Sequence, residues 1–567
     1  MLDEATWSTA LPDWEDRIVN RKSMIPDLPL FKDQADLALR VFKRLRVPDM
    51  IGTPTYGAVC QQWVFDFVRA VFGAFDPETN KRMIREFFLL IPKKNGKTSI
   101  AAAIMVTAAI INVRPAAELL LVAPTKTVAA IAFKQAAGIV SLDEELTKVF
   151  SVHEHIKTIK HRTSKAVLEI KAADTDAVTG SKATFVLIDE THEFSTKSKA
   201  HAVFVEVRGS LAARPDGFLM QITTQSKEAP AGVFKTELEK ARAVRDGKLV
   251  LPILAVLYEL PEAMSENGGW MDPKTWGMVN PNLGQSVDPK FLEDELIAAK
   301  HEGPAQLALI ASQHFNVEVG VGLKAQSWTG AQFWARAEEP SLVTLDELLA
   351  RCEVAVVGID GGGLDDLLAA AVVGREIGTR RWLTWAHAWA HPEVFEQRKD
   401  IAPRLLDFEA AGCLTICREP TADIMGVADV VEQVANSGLL PEAAGVGLDP
   451  YGVSAIVDEL AMRGIPDEVP VAIGQGARLS PAIWGMERKL KDGTLVHAVS
   501  PLMDWVMGNA KTEQRGSAVL LTKETAGKAK IDPLIATLNG FTLMTRNPDA
   551  GQIGTPWDRD PDYRMAG

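Results

Sequence analysis

The segment Ile91-Pro-Lys-Lys-Asn-Gly-Lys-Thr-Ser99 constrains this chain more than any other. It follows the apolar run Phe87–Ile91 and leads into Thr98–Val113, a stretch without a charged side chain. Strand, lysine-and-glycine turn, then helix is the context in which backbone N–H groups at a helix N-terminus cradle phosphate. In that setting Lys97 is placed to reach the β- and γ-phosphates of ATP, and the Thr98 hydroxyl to ligate Mg²⁺. Lys94, Asn95, Gly96 and Ser99 complete the candidate cradle, with Lys93 adding positive charge. Ile91 stands where the pattern G-x-x-x-x-G-K-[ST] has its first glycine.

The surrounding sequence supports an α/β fold. The runs Phe87–Ile91, Leu119–Ala123, Phe185–Ile188 and Phe218–Thr223 alternate with helix-like segments. Strands apolar on both faces belong in a mainly parallel sheet covered by helices on each side. Phe185-Val-Leu-Ile-Asp-Glu190 sets two carboxylates at a strand end. Asp189 suits the Mg²⁺ shell, and Glu190 suits orienting and deprotonating the attacking water. Ile222-Thr-Thr-Gln-Ser226 ends a further strand with groups suited to sensing the γ-phosphate, and Gln61 or Gln62 is a candidate reader of the adenine edge. Asp189-Glu-Thr-His192 also fits the DExH pattern of helicases, but no second nucleotide-binding lobe follows.

At 567 residues the chain exceeds one hydrophobic core. The expected divisions are a lead-in over 1–50, a P-loop ATPase domain over 51–260, a linker subdomain over 261–345, a nuclease domain over 346–546 and a mobile tail over 547–567. The net charge of −13 argues against a broad basic coat for nucleic acid and leaves room for a local basic channel. Cys413 and Cys417 lack a second ligand pair at zinc spacing, so the four cysteines read as reduced thiols. The acidic, proline-broken N-terminus is no signal peptide, and no uncharged stretch is long enough to span a bilayer.

Beyond residue 350 the candidate chemistry is a set of acids. Val354–Ile359 runs into Asp360, a glycine turn, Asp366 and a second apolar run. Asp449 closes Gly445-Val-Gly-Leu-Asp-Pro450, and Asp532 stands at the start of a helix in Ala529-Lys-Ile-Asp-Pro533. Each alone reads as a cap or a turn residue; their order, strand end, later strand end, helix start, raises them together. Phosphodiester cleavage uses paired divalent ions, and hard Mg²⁺ or Mn²⁺ prefers carboxylate oxygen. Asp360, Asp449 and Asp532 are therefore candidate metal ligands and catalytic acids, with Asp366 a possible fourth. Lys523, Lys528 and Lys530 are candidates for the DNA backbone.

The motif order resembles the large terminase subunit of tailed phages and related prophages. The pieces are IPKKNGKT, FVLIDETHEF, ITTQS, VVGIDGGGLDDLLAAAVVG, VGLDP and KIDPLIATLNGF. Trp276-Gly-Met-Val-Asn-Pro-Asn-Leu-Gly284 resembles a stretch of that family's linker, and Gln475–Ser480 with Glu487 the segment after the second nuclease acid. The resemblance implies an additional-strand P-loop ATPase followed by an RNase H-like nuclease. It also implies ATP and Mg²⁺ as cofactors (Mn²⁺ in the nuclease site) and double-stranded DNA, a portal protein and a small terminase subunit as partners. A homo-oligomeric ring would work in the host cytoplasm, docked on the procapsid portal and absent from the virion, with no membrane involved. A helicase-nuclease of a repair or defence system, and a packaging ATPase with an inactive nuclease, remain the alternatives.

Overall fold

The computed structural model describes residues 7–79, 81–172, 182–195, 200–266, 268–319, 328–362, 366–399, 401–450, 454–516, 518–523 and 530–550. The chain divides into two compact units, Met1–Val319 and Gly320–Gly567. The expected mobile tail lies, from residue 551 on, outside the described residues.

The first unit is built on one eight-stranded sheet. Its strands in chain order are β1 (Glu86–Leu90), β2 (Glu118–Ala123), β3 (Phe150–His153), β4 (Thr158–His161), β5 (Val167–Ala172), β6 (Ala183–Asp189), β7 (Phe218–Thr223) and β8 (Ile253–Leu257). They lie in the order β8-β1-β7-β6-β2-β5-β4-β3. Every pairing from β8 to β5 is parallel, and only β4 and β3 run antiparallel at the edge. The strand β7 therefore lies between the strand that leads into the glycine turn and the strand that ends in Asp189.

The two-faced burial predicted for these strands is what the side chains do. Phe87 and Leu89 of β1 enter one core with Leu119, Leu121 and Leu187. Phe88 and Leu90 pack on the opposite face with Phe234 and Leu257, and Leu120, Val186 and Ile188 form a further cluster. The uncharged stretch forms α2 (Lys97–Ile111), whose side chains from Ile100 to Ala109 are all buried, so it needs no polar face. Ahead of it, α1 (Gln62–Gly73) and the helix Lys32–Arg44 join the same core. After the sheet come α3 (Pro273–Val279) and α4 (Pro304–Phe315). Gly303, with φ of 107°, ends the helix Pro289–Glu302 and separates it from α4.

The second unit holds a mixed sheet. Its strands are β9 (Cys352–Gly361), β10 (Leu367–Glu376), β11 (Trp382–Ala390), β12 (Leu414–Ile416), β13 (Val446–Leu448), β14 (Pro470–Ala472) and β15 (Leu495–His497). The order is β12-β11-β10-β9-β13-β14, with β15 also paired to β11. β9, β10 and β11 form an antiparallel meander, and β13 joins β9 in parallel. The helix α5 (Asp532–Met544) lies directly on β9, because Gly358 has no side chain to hold it off. A Cβ at Gly358 would stand 1.9 Å from the Ala536 carbonyl oxygen and 2.3 Å from the Gly540 nitrogen. Among the described residues no helix is long and apolar enough to cross a membrane.

That contact is testable. Gly358→Ala should destabilise the second unit by about 3 kcal/mol through overpacking against helix backbone. Urea denaturation is the measurement, and an unshifted midpoint would show that α5 can move away freely.

Candidate nucleotide and nuclease sites

The C-terminal ends of β1, β7 and β6 stand side by side, with Leu90 opposite Thr223 and Asp189 opposite Ile222. The turn after β1 delivers Gly96 in the left-handed conformation (φ 79°) as N-cap of α2. Lys97, the first helical residue, is buried; its Nζ lies 3.5 Å from the Ile91 carbonyl oxygen and 3.7 Å from Glu190 Oε1. Thr98 Oγ1 donates to Asp189 Oδ2 at 3.2 Å. The other carboxylate oxygen, Asp189 Oδ1, is buried without a hydrogen-bond partner among the described residues. A hydroxyl, a carboxylate with an unspent oxygen and a lysine at a helix N-terminus are a donor set that fits Mg²⁺ and a polyphosphate.

Burial governs the protonation of this cluster. It pushes Lys97 down, against the pull of Glu190 and Asp189. It pushes Asp189 up, helped by the neighbouring Glu190 carboxylate. Burial presses Glu190 upward too, but Lys97 and His192 outweigh it and hold this carboxyl below its ordinary range. Glu190 also carries a left-handed backbone (φ 53°), its N–H donating to the Ile222 carbonyl at 2.8 Å.

His192 is the residue the sequence reading left without a role. Its ring nitrogens lie 3.3 Å from Glu190 Oε2 and 3.3 Å from Glu193 Oε1. Its backbone N–H donates to Thr223 Oγ1 at 3.0 Å, and Nδ1 lies 3.1 Å from the same hydroxyl and 3.4 Å from Thr224 Oγ1. It thus ties the acidic strand end to the Thr-Thr-Gln-Ser strand end. Thr223, Thr224, Gln225 and Ser226 are all buried. Gln62 is exposed on the first turn of α1, where its Nε2 donates to Asp66 Oδ1 at 2.7 Å; Gln61 is the N-cap of that helix. Ser99 is bonded to the Tyr56 hydroxyl at 2.6 Å and faces Gln135 at 3.4 Å.

In the second unit β13 pairs with β9 through Val357↔Val446 and Gly358↔Gly447. β13 ends at Leu448, so Asp449 follows it directly, at the same end of the sheet as Asp360 of β9. Asp532 opens α5 and is buried. It backs onto Gly361, where a Cβ would lie 3.3 Å from that of Asp532 and 2.0 Å from the Leu367 carbonyl oxygen; φ there is 89°. Asn539 of α5 donates to the Ile359 carbonyl at 2.9 Å, and Gln475 donates to Asn539 Oδ1 at 3.0 Å. Asn539 anchors the helix to the strand that carries Asp360, Gln475 braces Asn539 from the loop after β14, and neither stood out as such in the sequence. Glu487 is half-buried on the helix Ser480–Asp492, and burial raises its carboxyl.

Two expectations change here. Lys530 does not face solvent: it is 2% exposed and ion-paired with Asp366. That removes it from a DNA-facing lysine row, and gives Asp366 a cation of its own. Lys528 and the side chain of Lys523 lie outside the described residues. Among the described residues, no group of three carboxylate, imidazole or thiolate side chains is arranged to hold a metal ion.

Comparison with known proteins decides the family. The model described as "Terminase large subunit, ATPase domain" matches residues 63–242, and "Terminase large subunit, endonuclease domain" matches residues 257–547, more than half the chain. The chain belongs to the large terminase subunit family. It therefore carries an ATPase domain and an endonuclease domain of the bacteriophage type. It is similar to Protein YmfN of Escherichia coli (strain K12), 22% identical over 371 residues that cover 63% of this chain and 77% of that protein. Among solved structures it is similar to the HK97 bacteriophage large terminase (TM-score 0.45, 18% identity, 90% of this chain and 99% of that one). It is also similar to the large terminase of a thermophilic bacteriophage in complex with ADP (TM-score 0.29, 11% identity, 82% and 95%).

His192 makes this terminase's ATPase unit pH-sensitive in a stated direction. Burial disfavours its charge, but Glu190 and Glu193 outweigh that and raise the imidazole above its ordinary 6.5. A raised basic group contributes stability that is full below 6.5 and fades as pH rises through the folded value. The stability gap between wild type and His192→Gln should therefore shrink between pH 6 and alkaline conditions. Urea midpoints across that window give the answer; a gap that widens would reverse the sign.

Proposed function

We propose that this terminase subunit couples ATP hydrolysis to the translocation of double-stranded DNA into a procapsid, and cuts concatemeric DNA with divalent cations. The observation that carries the reading is the meeting of buried Lys97 and half-buried Thr98, at the start of α2, with buried Asp189 and half-buried Glu190, at the end of β6, on a chain of this family.

In this reading the loop amides over Lys94–Ser99 and the Lys97 ammonium bind the phosphates, and Gln62 reads the base. Thr98 and Asp189 would hold Mg²⁺, which supplies charge neutralisation at the phosphates when bound. Glu190 orients the attacking water and takes its proton. His192 carries the change at the phosphates toward Thr223 and Thr224. In the second unit Asp360, Asp449 and Asp532 would hold Mg²⁺ or Mn²⁺, the source of an activated water and of stabilisation at the leaving oxygen. Asp366 serves better as the counter-charge of Lys530 than as a fourth ligand. Contact with DNA is to phosphate, hence sequence-tolerant and salt-sensitive, and local in a chain of net charge −13. Ring assembly, the portal protein and the small terminase subunit complete the proposed setting, in the host cytoplasm and on the procapsid portal.

The alternative is a packaging ATPase with an inactive nuclease. Plasmid digestion in Mg²⁺ or Mn²⁺ separates the two. Wild type and Lys97→Ala should cut and Asp360→Ala should not; no cutting by any of them under either metal favours the inactive nuclease.

Glu190→Gln tests the hydrolytic base. It should still bind ATP, and turn it over at least about a hundredfold more slowly. Turnover equal to wild type would remove Glu190 from that role.

A further inference from the structure

The phosphate loop is shaped by more than its own residues. Lys94 has a φ of 69°, a left-handed conformation that a residue other than glycine holds where its surroundings impose it. The imposing contacts come from far along the chain. Ser286 Oγ donates to the Lys94 carbonyl at 2.6 Å, and Asn282 Nδ2 donates to the Asn95 carbonyl at 3.0 Å. The Asn282 backbone N–H donates to Asn95 Oδ1 at 3.2 Å. Asn95 is fully buried and donates its Nδ2 to Asn280 Oδ1 at 2.8 Å. At the start of the loop, the Lys93 N–H donates to the Gln313 carbonyl at 2.8 Å.

The gripping residues are themselves held. Asn280, buried just after α3, donates to the His314 carbonyl at 2.9 Å. Asn282 Oδ1 accepts from the Trp63 indole of α1 at 2.8 Å. Gln313 of α4 also donates to the Gln225 carbonyl at 2.9 Å, so the same scaffold reaches the end of β7.

We propose that Asn280 and Asn282 are positioning residues of the ATP site. They clamp the loop in a shape that its own sequence, with lysine at a left-handed position and isoleucine where the pattern has glycine, does not dictate. The inference rests on the reading of this loop as the ATP site. A loop ordered before the nucleotide arrives is not ordered at the nucleotide's expense, so affinity is what the clamp supplies. The clamp touches no reacting atom. Its loss should therefore raise KM for ATP and leave kcat at saturation nearly unchanged.

The test uses the full chain, with Mg·ADP titrated by calorimetry, ATP turnover measured in parallel, and the ligand-free melting temperature recorded. Asn282→Ala should weaken ADP about tenfold and raise KM in proportion, with kcat and the ligand-free melting temperature close to wild type. In a Lys94→Gly background, where glycine takes the left-handed conformation unaided, the same change should cost less than about threefold. Equal losses in both backgrounds, or a fall in kcat at constant KM, overturn the proposal. Should Asn282→Ala melt early, Ser286→Ala at an exposed position carries the same comparison. Lys97→Ala separates the two readings. If it binds ADP like wild type, the loop is not the nucleotide site. If it loses ADP while Asn282→Ala and wild type bind alike, the site stands and the clamp falls.

Discussion

Three charges taken out of water set the terms for the first unit. Lys97 and Asp189 are buried and Glu190 is half-buried where α2 begins beside the end of β6, and for each of them desolvation is the largest single influence on its proton. Such a group is tolerable only when a partner of opposite sign lies close, and removing one partner strands the others. Lys97 near Glu190, Thr98 on Asp189 and His192 beside Glu190 supply that mutual compensation. The cluster closes only if β1, β7 and β6 end level with one another and α2 starts within a few residues of β1. The parallel register provides the first condition and the left-handed Gly96 the second. Strands apolar on both faces are what permit such a sheet, so the long hydrophobic runs and the polar site belong to one constraint.

The second unit brings acids together by a different device. Asp360 lies near the end of β9, Asp449 directly follows its parallel neighbour β13, and Asp532 comes from a helix far along the chain. What allows that helix so close is the absence of side chains at Gly358 and Gly361, where the backbone of α5 and the Asp532 side chain pack directly on β9. Asn539 then fixes it by reaching the Ile359 carbonyl, one residue before Asp360. Like charges gathered this way repel unless cations lie between them. Lys530 is one such cation supplied by the chain itself, and Asp366 is one of its partners.

How much of this was legible in the sequence follows from how each signal works. Apolar runs located β1, β2, β6 and β7 and the first two strands of the meander, because burial on both faces leaves an unbroken hydrophobic record, while the parallel strands β5 and β8 were not read. The hairpin strands Phe150–His153 and Thr158–His161 were not read, since an exposed edge leaves polar and charged residues within them. The Asp189–Glu190 pair and the three later acids were legible because their chemistry narrows the residue types. Asn280 and Asn282 were visible only as members of a resembling stretch; an asparagine in a turn has many ordinary uses, and sequence does not name its partner. Lys530 misled for the opposite reason. Three lysines close together in sequence read as solvated, and only the packing of α5 shows that the last of them is interior.

The proposed ATP site would draw on residues far apart along the chain. The match to the ATPase family ends at residue 242, and the match to the endonuclease family begins at 257. Yet the compact unit runs on to Val319. β8, ending at Leu257, pairs with β1, the strand that feeds the phosphate loop. Asn280, Asn282, Ser286 and Gln313, all beyond 257, hold the backbone of that loop. The residues that shape the nucleotide site thus lie on the stretch that continues toward the nuclease.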